Sequence, residues 1–390
     1  SLAGRWVLSQ FAFGVDSSNN PLAPFYQCIA VSQTGDPAGS YNLYAFLWGN
    51  TLNDYAKLGV WSDGYYMSAN QFNGNTFVGV GVAAFERSRM LTGAASPQMV
   101  YFNVGKTSQI YASLLPADLD GTTPPPAGAA EIFGEIDPGS TFNLWNFHVD
   151  WGSPAKSTFG QSLQPDQSLP VASYRQLPCV TASTPTTSCI PQPGSAPRLD
   201  GVADRLMNRL AFRSYGDHQS LAAVHTVWAD GTDRAGLRWY ELRSTGSGWS
   251  IYQQGTFAPA DGLYRWMGSA AMDGQGDLAV GYSVSGASLY PSIRYAGRLA
   301  GDPLGSLAQG EAGITAGGGA QLSSSGRWGD YSDLTVDPRD GCTFWYTQEY
   351  YPSSSNDGWQ TRIASFRFTA CTPVGLPLGP KLVFLPLIDR

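Results

Sequence analysis

The stretch "GDYSDLTVDPRDGCTFWYTQEY" (residues 329–350) has the pattern of a strand, a tight turn at Asp340-Gly341 and a second strand. Asp-Gly pairs supply the backbone conformation that a short hairpin turn needs. The core of this stretch, Asp-(Tyr/His)-x-x-Leu, recurs in "NDYAKLGVWSDGYYMSANQF" (53–72) and in "GDHQSLAAVHTVWADG" (216–231). A recurring strand–turn–strand unit predicts an array of similar sheets.

The repeated units recur every ~50–65 residues, which is close to the length of a four-stranded propeller blade. Six units can be drawn, at residues 1–50, 54–105, 113–175, 205–258, 263–316 and 326–370. Residues 176–204, rich in Thr, Ser and Pro, are expected to form a long exposed loop. The sequence therefore predicts an all-β fold, a six-bladed β-propeller of four-stranded blades. Seven blades are the alternative if an upstream segment belongs to the ring.

The composition agrees with short strands and many turns. Charged residues make up 14% of the 390 residues, whereas the chain has 46 Gly and 26 Pro and is 13% aromatic. A net charge of −7 without a basic stripe argues against nucleic-acid binding. No run reaches the ~20 apolar residues of a membrane span. The first residues lack the features of a signal peptide, so any signal would lie upstream.

Five cysteines suggest an oxidising, extracellular setting, since no zinc-binding spacing occurs among them. We expect two disulfides, Cys179–Cys189 within the long loop and Cys342–Cys371 around the last hairpin. The alternative is that all five are reduced, buried thiols. Cys28 is left over, either as a small buried residue or as one half of a bond whose partner is absent here.

The first and last units lack strands. Nothing before "GRWVLSQF" provides an inner strand for the first unit, and the sixth unit ends after its third strand. We therefore divide the chain into a propeller (1–371), a Gly/Pro hinge (372–380) and a C-terminal strand (381–390) that completes a blade in its own ring or in a neighbouring copy. The alternative is a disordered, sticky end. The apolar residues expected to mediate this assembly are Leu382, Val383, Phe384, Leu385, Leu387 and Ile388.

Several stretches carry a family resemblance across units two to six. They are "GVWSDGYYMSANQFN", "LLPADLDGTTPPPAG", "LWNFHVDW", "YRWMGSAAMD", "YPSIRYAGR" and "RWGDYSDLTVDP". At these residues the chain resembles a family of bacterial secreted β-propeller proteins, distantly sialidase-like and of unassigned function. Members of that family carry a further strand and a cysteine before "RWVLSQFA", and this chain departs from them there. The resemblance implies a propeller, but it carries over no catalytic residue.

A sialidase-type glycosidase would need an arginine cluster, a tyrosine nucleophile with a glutamate partner, and an acid. The sequence offers Glu349 as the partner, Tyr331 or Tyr346 as the nucleophile, and Asp330 or Asp217 as the acid. The candidates for the cluster are Arg213, Arg265, Arg294 and Arg327. The sialidase Asp-box is absent, and the repeated positions of Asp54, Asp217 and Asp330 favour a structural role, in which they bond backbone groups around a central channel.

Other site chemistries are less well supported. Asp118 and Asp120 in "DLDG" could bind calcium, although a plain hairpin turn explains the same residues. The histidines His148, His218 and His225 form no zinc or hydrolase motif. Numerous Trp and Tyr residues could line a sugar-binding surface, but packing between blades uses the same residues.

The sequence favours an extracellular, non-catalytic propeller with a structural or recognition role, self-assembling with other copies into a filament by donation of the C-terminal strand. The alternative is a sialidase-like glycoside hydrolase or a glycan-binding module. No cofactor is expected apart from the possible calcium ion, and the expected partners are other copies of the chain and glycans. Localisation at the outside or surface of a bacterium is expected.

Overall fold

The structure, a computed structural model, describes residues 3–105, 111–137, 141–176, 179–181, 184–186, 188–194, 197–229 and 234–373, with the backbone alone for 179–181 and 184–186. These residues are almost entirely strands, turns and loops. The helical segments in the described ranges are α1 (Arg87–Leu91) and a 3₁₀-helix (Pro154–Lys156). The predicted all-β class is therefore confirmed.

Six groups of antiparallel strands, here called sheets one to six, follow one another along the chain, and the third and fourth are joined into one nine-stranded sheet by a parallel strand pair. The first contains β1 (Val7–Val15), β2 (Pro21–Ser32) and β3 (Tyr41–Gly49), and the second contains β4 (Leu52–Val60), β5 (Tyr65–Asn73), β6 (Thr76–Phe85) and β7 (Met99–Asn103). The third contains β8 (Leu115–Leu119), β9 (Glu131–Asp137) and β10 (Thr141–His148), with β11 (Thr158–Phe159) and β12 (Gln167–Pro170) both paired to β10. The long loop carries four short strands, β13 (Cys179–Thr181), β14 (Thr184–Thr186), β15 (Ser188–Ile190) and β16 (Leu199–Asp200).

The later sheets repeat the same up-and-down order. The fourth contains β17 (Leu210–Ser214), β18 (Gln219–Ala229), β19 (Arg234–Ser244) and β20 (Trp249–Phe257), and the fifth contains β21 (Tyr264–Met272), β22 (Leu278–Gly286), β23 (Leu289–Arg298) and β24 (Glu311–Thr315). The sixth contains β25 (Asp333–Val336), β26 (Phe344–Tyr350) and β27 (Gln360–Phe366). This succession of blade-like sheets is a β-propeller. The first and last sheets have three strands, so the number of complete blades, six or seven, stays a prediction.

The inner strand of each of sheets two to six is the first strand of its sheet. Neighbouring inner strands run in the same direction, and β8 and β17 pair in parallel with Ala211 opposite Asp118. Where β4 passes β8 the approach is close, because a Cβ added at Gly59 would lie 2.3 Å from the carbonyl oxygen of Ala117. Only glycine fits at this point. The inner strands thus surround a narrow axis, and their amino-terminal ends share one end of it.

Aromatic side chains fill the spaces between sheets. The ring of Trp61 packs edge-on against Phe212 with centroids 4.7 Å apart, and Trp266 lies 5.9 Å from Trp328. All four of these side chains are fully buried or nearly so. Stacked sheets bury one face of every strand in this way, which supplies most of the apolar burial of the fold. Much of the tryptophan content therefore serves blade packing, as the simpler interpretation predicted.

The cysteine predictions are tested in part. Cys342 and Cys371 form a disulfide that closes a loop with a sequence separation of 29. Cys189 is also disulfide-bonded, but the side chain of its predicted partner Cys179 lies outside the described residues. Cys28 is a free, half-buried thiol on β2. The predicted hinge beyond Pro373 and the C-terminal strand 381–390 lie outside the described part of the chain.

Candidate active site

A buried ion cluster occupies the axis of the propeller. Arg209, just before β17, donates to Asp118 at 3.1 Å and to both carboxylate oxygens of Asp120 at 3.0 Å. The guanidinium also donates to the carbonyl of Leu334, at 3.1 Å, so that it joins sheets three, four and six. Bidentate pairing of this kind satisfies a buried arginine. The two aspartates proposed as calcium ligands therefore serve as acceptors for Arg209, and no group of three potential metal ligands is found among the described residues.

A cavity of about 830 Å³ opens where the inner strands begin; we call it the mouth cavity. Its wall includes Tyr55 and Lys57 from β4, Arg205 from the segment before β17, and Asp330 and Tyr331 from the segment before β25. Tyr55 sits in a β-bulge with φ of +59°, a conformation that non-glycine residues seldom adopt. The bulge turns the Tyr55 ring towards Tyr331, and the two rings meet edge-on with centroids 5.0 Å apart.

The lysine of the mouth cavity is held by aromatic rings. The ammonium of Lys57 lies 3.9 Å from the ring centre of Tyr55 and 4.3 Å from that of Tyr331. Burial lowers the pKa of Lys57 to about 8, although the negative charges of Asp330 and Asp54 favour its charged form. Cation–π contacts with two rings stabilise the ammonium in place of a carboxylate partner.

A second cavity, of about 490 Å³, adjoins the first and shares Arg327, Asp330 and Tyr331 with it; we call it the side cavity. Glu349 and Trp359 also line it. Side chains alternate along β26, so Phe344, Tyr346 and Gln348 face the core, whereas Glu349 faces outward into the side cavity.

The two carboxyl groups of the side cavity differ in their surroundings. Burial raises the pKa of Glu349 to about 7, and the neighbouring Asp330 adds to the shift. The Oε1 atom of Glu349 is buried and has no hydrogen-bond partner among the described residues. Asp330 instead forms an ion pair with Arg327, whose side chain is otherwise exposed. One carboxyl group can therefore hold a proton near neutral pH beside another that is balanced by a cation.

The structure does not bring the four predicted arginines together. Arg213 donates to the carbonyl of Met272. Arg265 and Arg294 both pair with Glu311 inside sheet five. Only Arg327 reaches the two cavities. The expected arginine cluster is therefore not assembled from these residues.

The remaining candidates divide between the cavities and the rest of the fold. Asp330, Tyr331 and Glu349 meet in the side cavity, as the glycosidase alternative required. Tyr346 is buried in the core, and Asp217 is an exposed turn residue that pairs with His218. Asp217 is thus not equivalent to Asp54 and Asp330, and the predicted common role around the channel does not extend to it.

Sequence reasoning missed Lys57, Arg205 and Trp359. For Lys57 a signal was present, since the repeated core has Lys at this position where the other two copies have Ser220 and Asp333. A cation at a position where the other copies have a hydroxyl or a carboxyl group is not explained by the packing that the three copies share. Arg205 and Trp359 lie in loops without a repeat, so their convergence depends on the tertiary structure.

Tyr331 is poorly suited to act as a nucleophile. Burial raises the pKa of its hydroxyl group, and this effect outweighs the opposite effects of Arg205 and Tyr55. A tyrosine that attacks a sugar must lose its proton to a neighbouring base. The arrangement therefore favours chemistry on Glu349 and Asp330, with Tyr331 as part of the wall.

No family model and no curated relative matches the chain. Among solved structures, it is similar to Trypanosoma rangeli sialidase in complex with sialic acid, with 11% identity, a TM-score of 0.36, and coverage of 95% of this chain and 53% of that one. It is also similar to the catalytic domain of Coprinopsis cinerea GH62 alpha-L-arabinofuranosidase, with 10% identity, a TM-score of 0.31, and coverage of 80% and 90%. A protein of unknown function from Dyadobacter fermentans gives 10% identity, a TM-score of 0.28, and coverage of 81% and 94%. The chain spans about half the length of the sialidase, and no residue role is transferred from these likenesses.

No helix among the described residues is long and apolar enough to cross a membrane.

Proposed function

We propose that the protein is a glycan-directed β-propeller that hydrolyses a glycosidic bond in the side cavity. The observation that carries this proposal is the pairing, in one cavity, of Glu349, whose pKa is raised to about 7, with the arginine-paired carboxylate of Asp330. Glycosidases use two such carboxyl groups, one protonated and one ionised. Trp359 and Tyr331 add apolar ring faces of the kind that sugar rings pack against.

In this mechanism Glu349 gives its proton to the leaving glycosidic oxygen as the bond to the anomeric carbon breaks. Asp330 faces the positive charge that develops on the sugar ring, and its carboxylate either activates the attacking water or attacks the anomeric carbon itself. The first route inverts and the second retains the configuration of the product. In the retaining route, water then attacks the anomeric carbon, the bond to Asp330 breaks, and Glu349 takes the proton of that water. In the inverting route, Asp330 takes the proton of the attacking water and releases it to solvent, and Glu349 is reprotonated from solvent.

The test is an assay of reducing ends released from a panel of aryl glycosides and polysaccharides, with Glu349→Gln and Asp330→Asn as variants. Each substitution should lower the rate by about 10²–10⁴-fold. Glu135→Gln is a matched control, because burial also raises the pKa of Glu135 to about 7 while its partner is Asn143 in sheet three, outside both cavities. Glycan binding without turnover in the native protein would support a binding module instead.

An extracellular setting accords with the Cys342–Cys371 disulfide, because such bonds persist in oxidising compartments. The predicted filament depends on residues 381–390, which lie outside the described part of the chain, and it stays a prediction. The predicted calcium ion likewise stays a prediction.

A further inference from the structure

The first sheet has one covered and one uncovered face. Its inner face carries Phe25, Ile29 and Phe46, which pack against the second sheet. The strand register places every second residue on the other face, where Leu8, Ala30 and Leu43 form one row. The next row contains Gln10, Cys28 and Ala45, and the row after it contains Ala12, Tyr26 and Leu47, so that Gln10 is the one amide among nine residues.

This outer face is apolar and open. Leu8, Leu43 and Leu47 are 57%, 76% and 56% exposed, and Cys28 lies at the centre of the face. The nine residues of the three rows include no charged side chain. In a ring of stacked sheets each sheet has a neighbour on both faces, so an exposed apolar face of this kind indicates a missing neighbour.

The last sheet borders the same space. Trp345 and Ile363 project from its outward face and are 37% and 62% exposed. The mouth cavity links the two sheets, since its wall contains Ser9 and Gln10 of β1 as well as Asp330 and Tyr331 before β25. Sheets one and six are the first and the last of the ring, and we call the space beside their uncovered faces the cleft.

A segment of matching chemistry follows the last sheet. The described chain stops at Pro373, just after Cys371 is tied to the sixth sheet by its disulfide with Cys342. Seven residues, 374–380, separate that point from the run "KLVFLPLI" at 381–388. A linker of this length spans up to about 23 Å, whereas stacked sheets lie about 10 Å apart. The apolar run can therefore reach the cleft without leaving its own molecule.

We propose that residues 381–388 of the same chain pack as an additional strand in this cleft and cover the apolar face centred on Cys28. An uncharged, apolar surface and an apolar segment of strand length are complementary, and their contact removes both from water. Pro386 lacks an N–H group and suits a strand with one unpaired edge. The side cavity opens on the same outward face of the sixth sheet, through Thr347, Glu349 and Thr361. The test of this proposal follows the thiol of Cys28 and does not require turnover in the side cavity.

The test uses the free thiol of Cys28 as a reporter. Its rate of alkylation by a maleimide is measured in the full chain and in a chain that ends at Gly379. Protection in the full chain, with alkylation slower by about tenfold or more than in the truncated chain, is the expected result. Substitution of Phe384→Ser together with Leu385→Ser should abolish the protection, whereas Lys381→Ser is the matched control that keeps it. Unchanged circular dichroism and elution volume establish that every variant is folded.

Disulfide trapping identifies which molecule supplies the strand. Single cysteines at Leu382, Val383, Phe384 and Leu385 are oxidised against Cys28, and the linked peptides are mapped by mass spectrometry. The proposal expects monomeric cross-links from alternate positions, because strand side chains alternate between faces. Equal alkylation rates in the two chains would overturn it. Cross-linked dimers, or protection that grows with protein concentration, would overturn it too, and would assign the cleft to a second copy.

Discussion

Lys57 places its ammonium 3.9 Å from the ring centre of Tyr55 at the mouth of the propeller. The residues that the structure describes form no salt bridge to this ammonium, and the nearby Asp330 is paired with Arg327. A cation held by rings in a cavity is less stable than the same cation in water, and the lowered pKa expresses this cost.

Replacement of Lys57 by Met should therefore stabilise the fold at neutral pH. The native lysine has a pKa of about 8 when folded and about 10.5 when unfolded, so its stability contribution rises as pH increases from 8 to 10.5. Lys57→Met should raise the free energy of unfolding at pH 7 by about 1 kcal/mol and flatten this rise. Urea denaturation of the native protein and the variant at several pH values measures the free energy of unfolding, with the exposed Lys156→Met as control. A destabilised variant would show that the cation–π contacts outweigh desolvation.

The proposed acid makes a prediction about pH. Glu349 should donate a proton only while it is protonated, so the rate should decline as pH rises through about 7. A pH–rate profile on the best substrate of the panel measures this decline, which is the alkaline limb of the profile. Glu135→Gln should leave the alkaline limb unchanged. An alkaline limb that persists in Glu349→Gln, measured on its residual activity, would assign the acid to another group.

Asp273 and Asp277 form a second carboxyl pair, away from the cavities. Burial raises the pKa of Asp273 to about 7, and the Oδ2 atoms of both residues are buried without a hydrogen-bond donor among the described residues. Because the folded pKa lies above the unfolded value, stability is greatest below about pH 4 for this group and is lost as pH rises through 7.

Asp277→Asn should reduce that loss, since its amide can donate to Asp273 while its oxygen still accepts from the N–H of Ala300. We expect higher stability than the native protein at pH 8 and little difference at pH 5. Thermal unfolding at both values tests this, with the exposed-turn variant Asp36→Asn as control. Equal shifts at the two pH values would argue against a shared proton.

Removal of Arg209 should be among the most damaging single changes. Arg209→Met leaves the buried carboxylate of Asp120 without its bidentate partner, which costs about 3–5 kcal/mol in comparable cases. The double variant with Asp120→Asn should recover part of the loss. Chemical denaturation of the two variants measures the coupling, and the absence of any recovery would indicate that Arg209 acts through packing alone.

The disulfide of the last sheet should contribute about 3 kcal/mol, because it closes a loop with a sequence separation of 29 in the unfolded chain. The Cys342→Ser, Cys371→Ser double variant should therefore unfold at lower denaturant concentration. Cys28→Ser is the control and should change stability little, since its thiol has no disulfide partner. Equal losses of stability in the double variant and in Cys28→Ser would show that the disulfide itself does not stabilise the fold.

The sequence by itself determined the local units of this protein. Asp63-Gly64, Asp273-Gly274 and Asp340-Gly341 each fall between the first and second strands of a sheet, as predicted, because turn chemistry acts over a few residues. The three strands that the structure describes in each of the first and last sheets were also predicted, because a strand pattern is a property of a short run of residues.

Which side chains meet depends on how the sheets pack. Arg213, Arg265 and Arg294 lie away from Arg327. Glu349 on β26 and Asp330 before β25 line the same cavity. The physical reason is that pairing along a strand is a local property, whereas convergence at a cavity depends on how whole sheets are placed around an axis. Burial then sets the pKa of Lys57 and Glu349, and burial is a property of the packed ring and not of any segment within it.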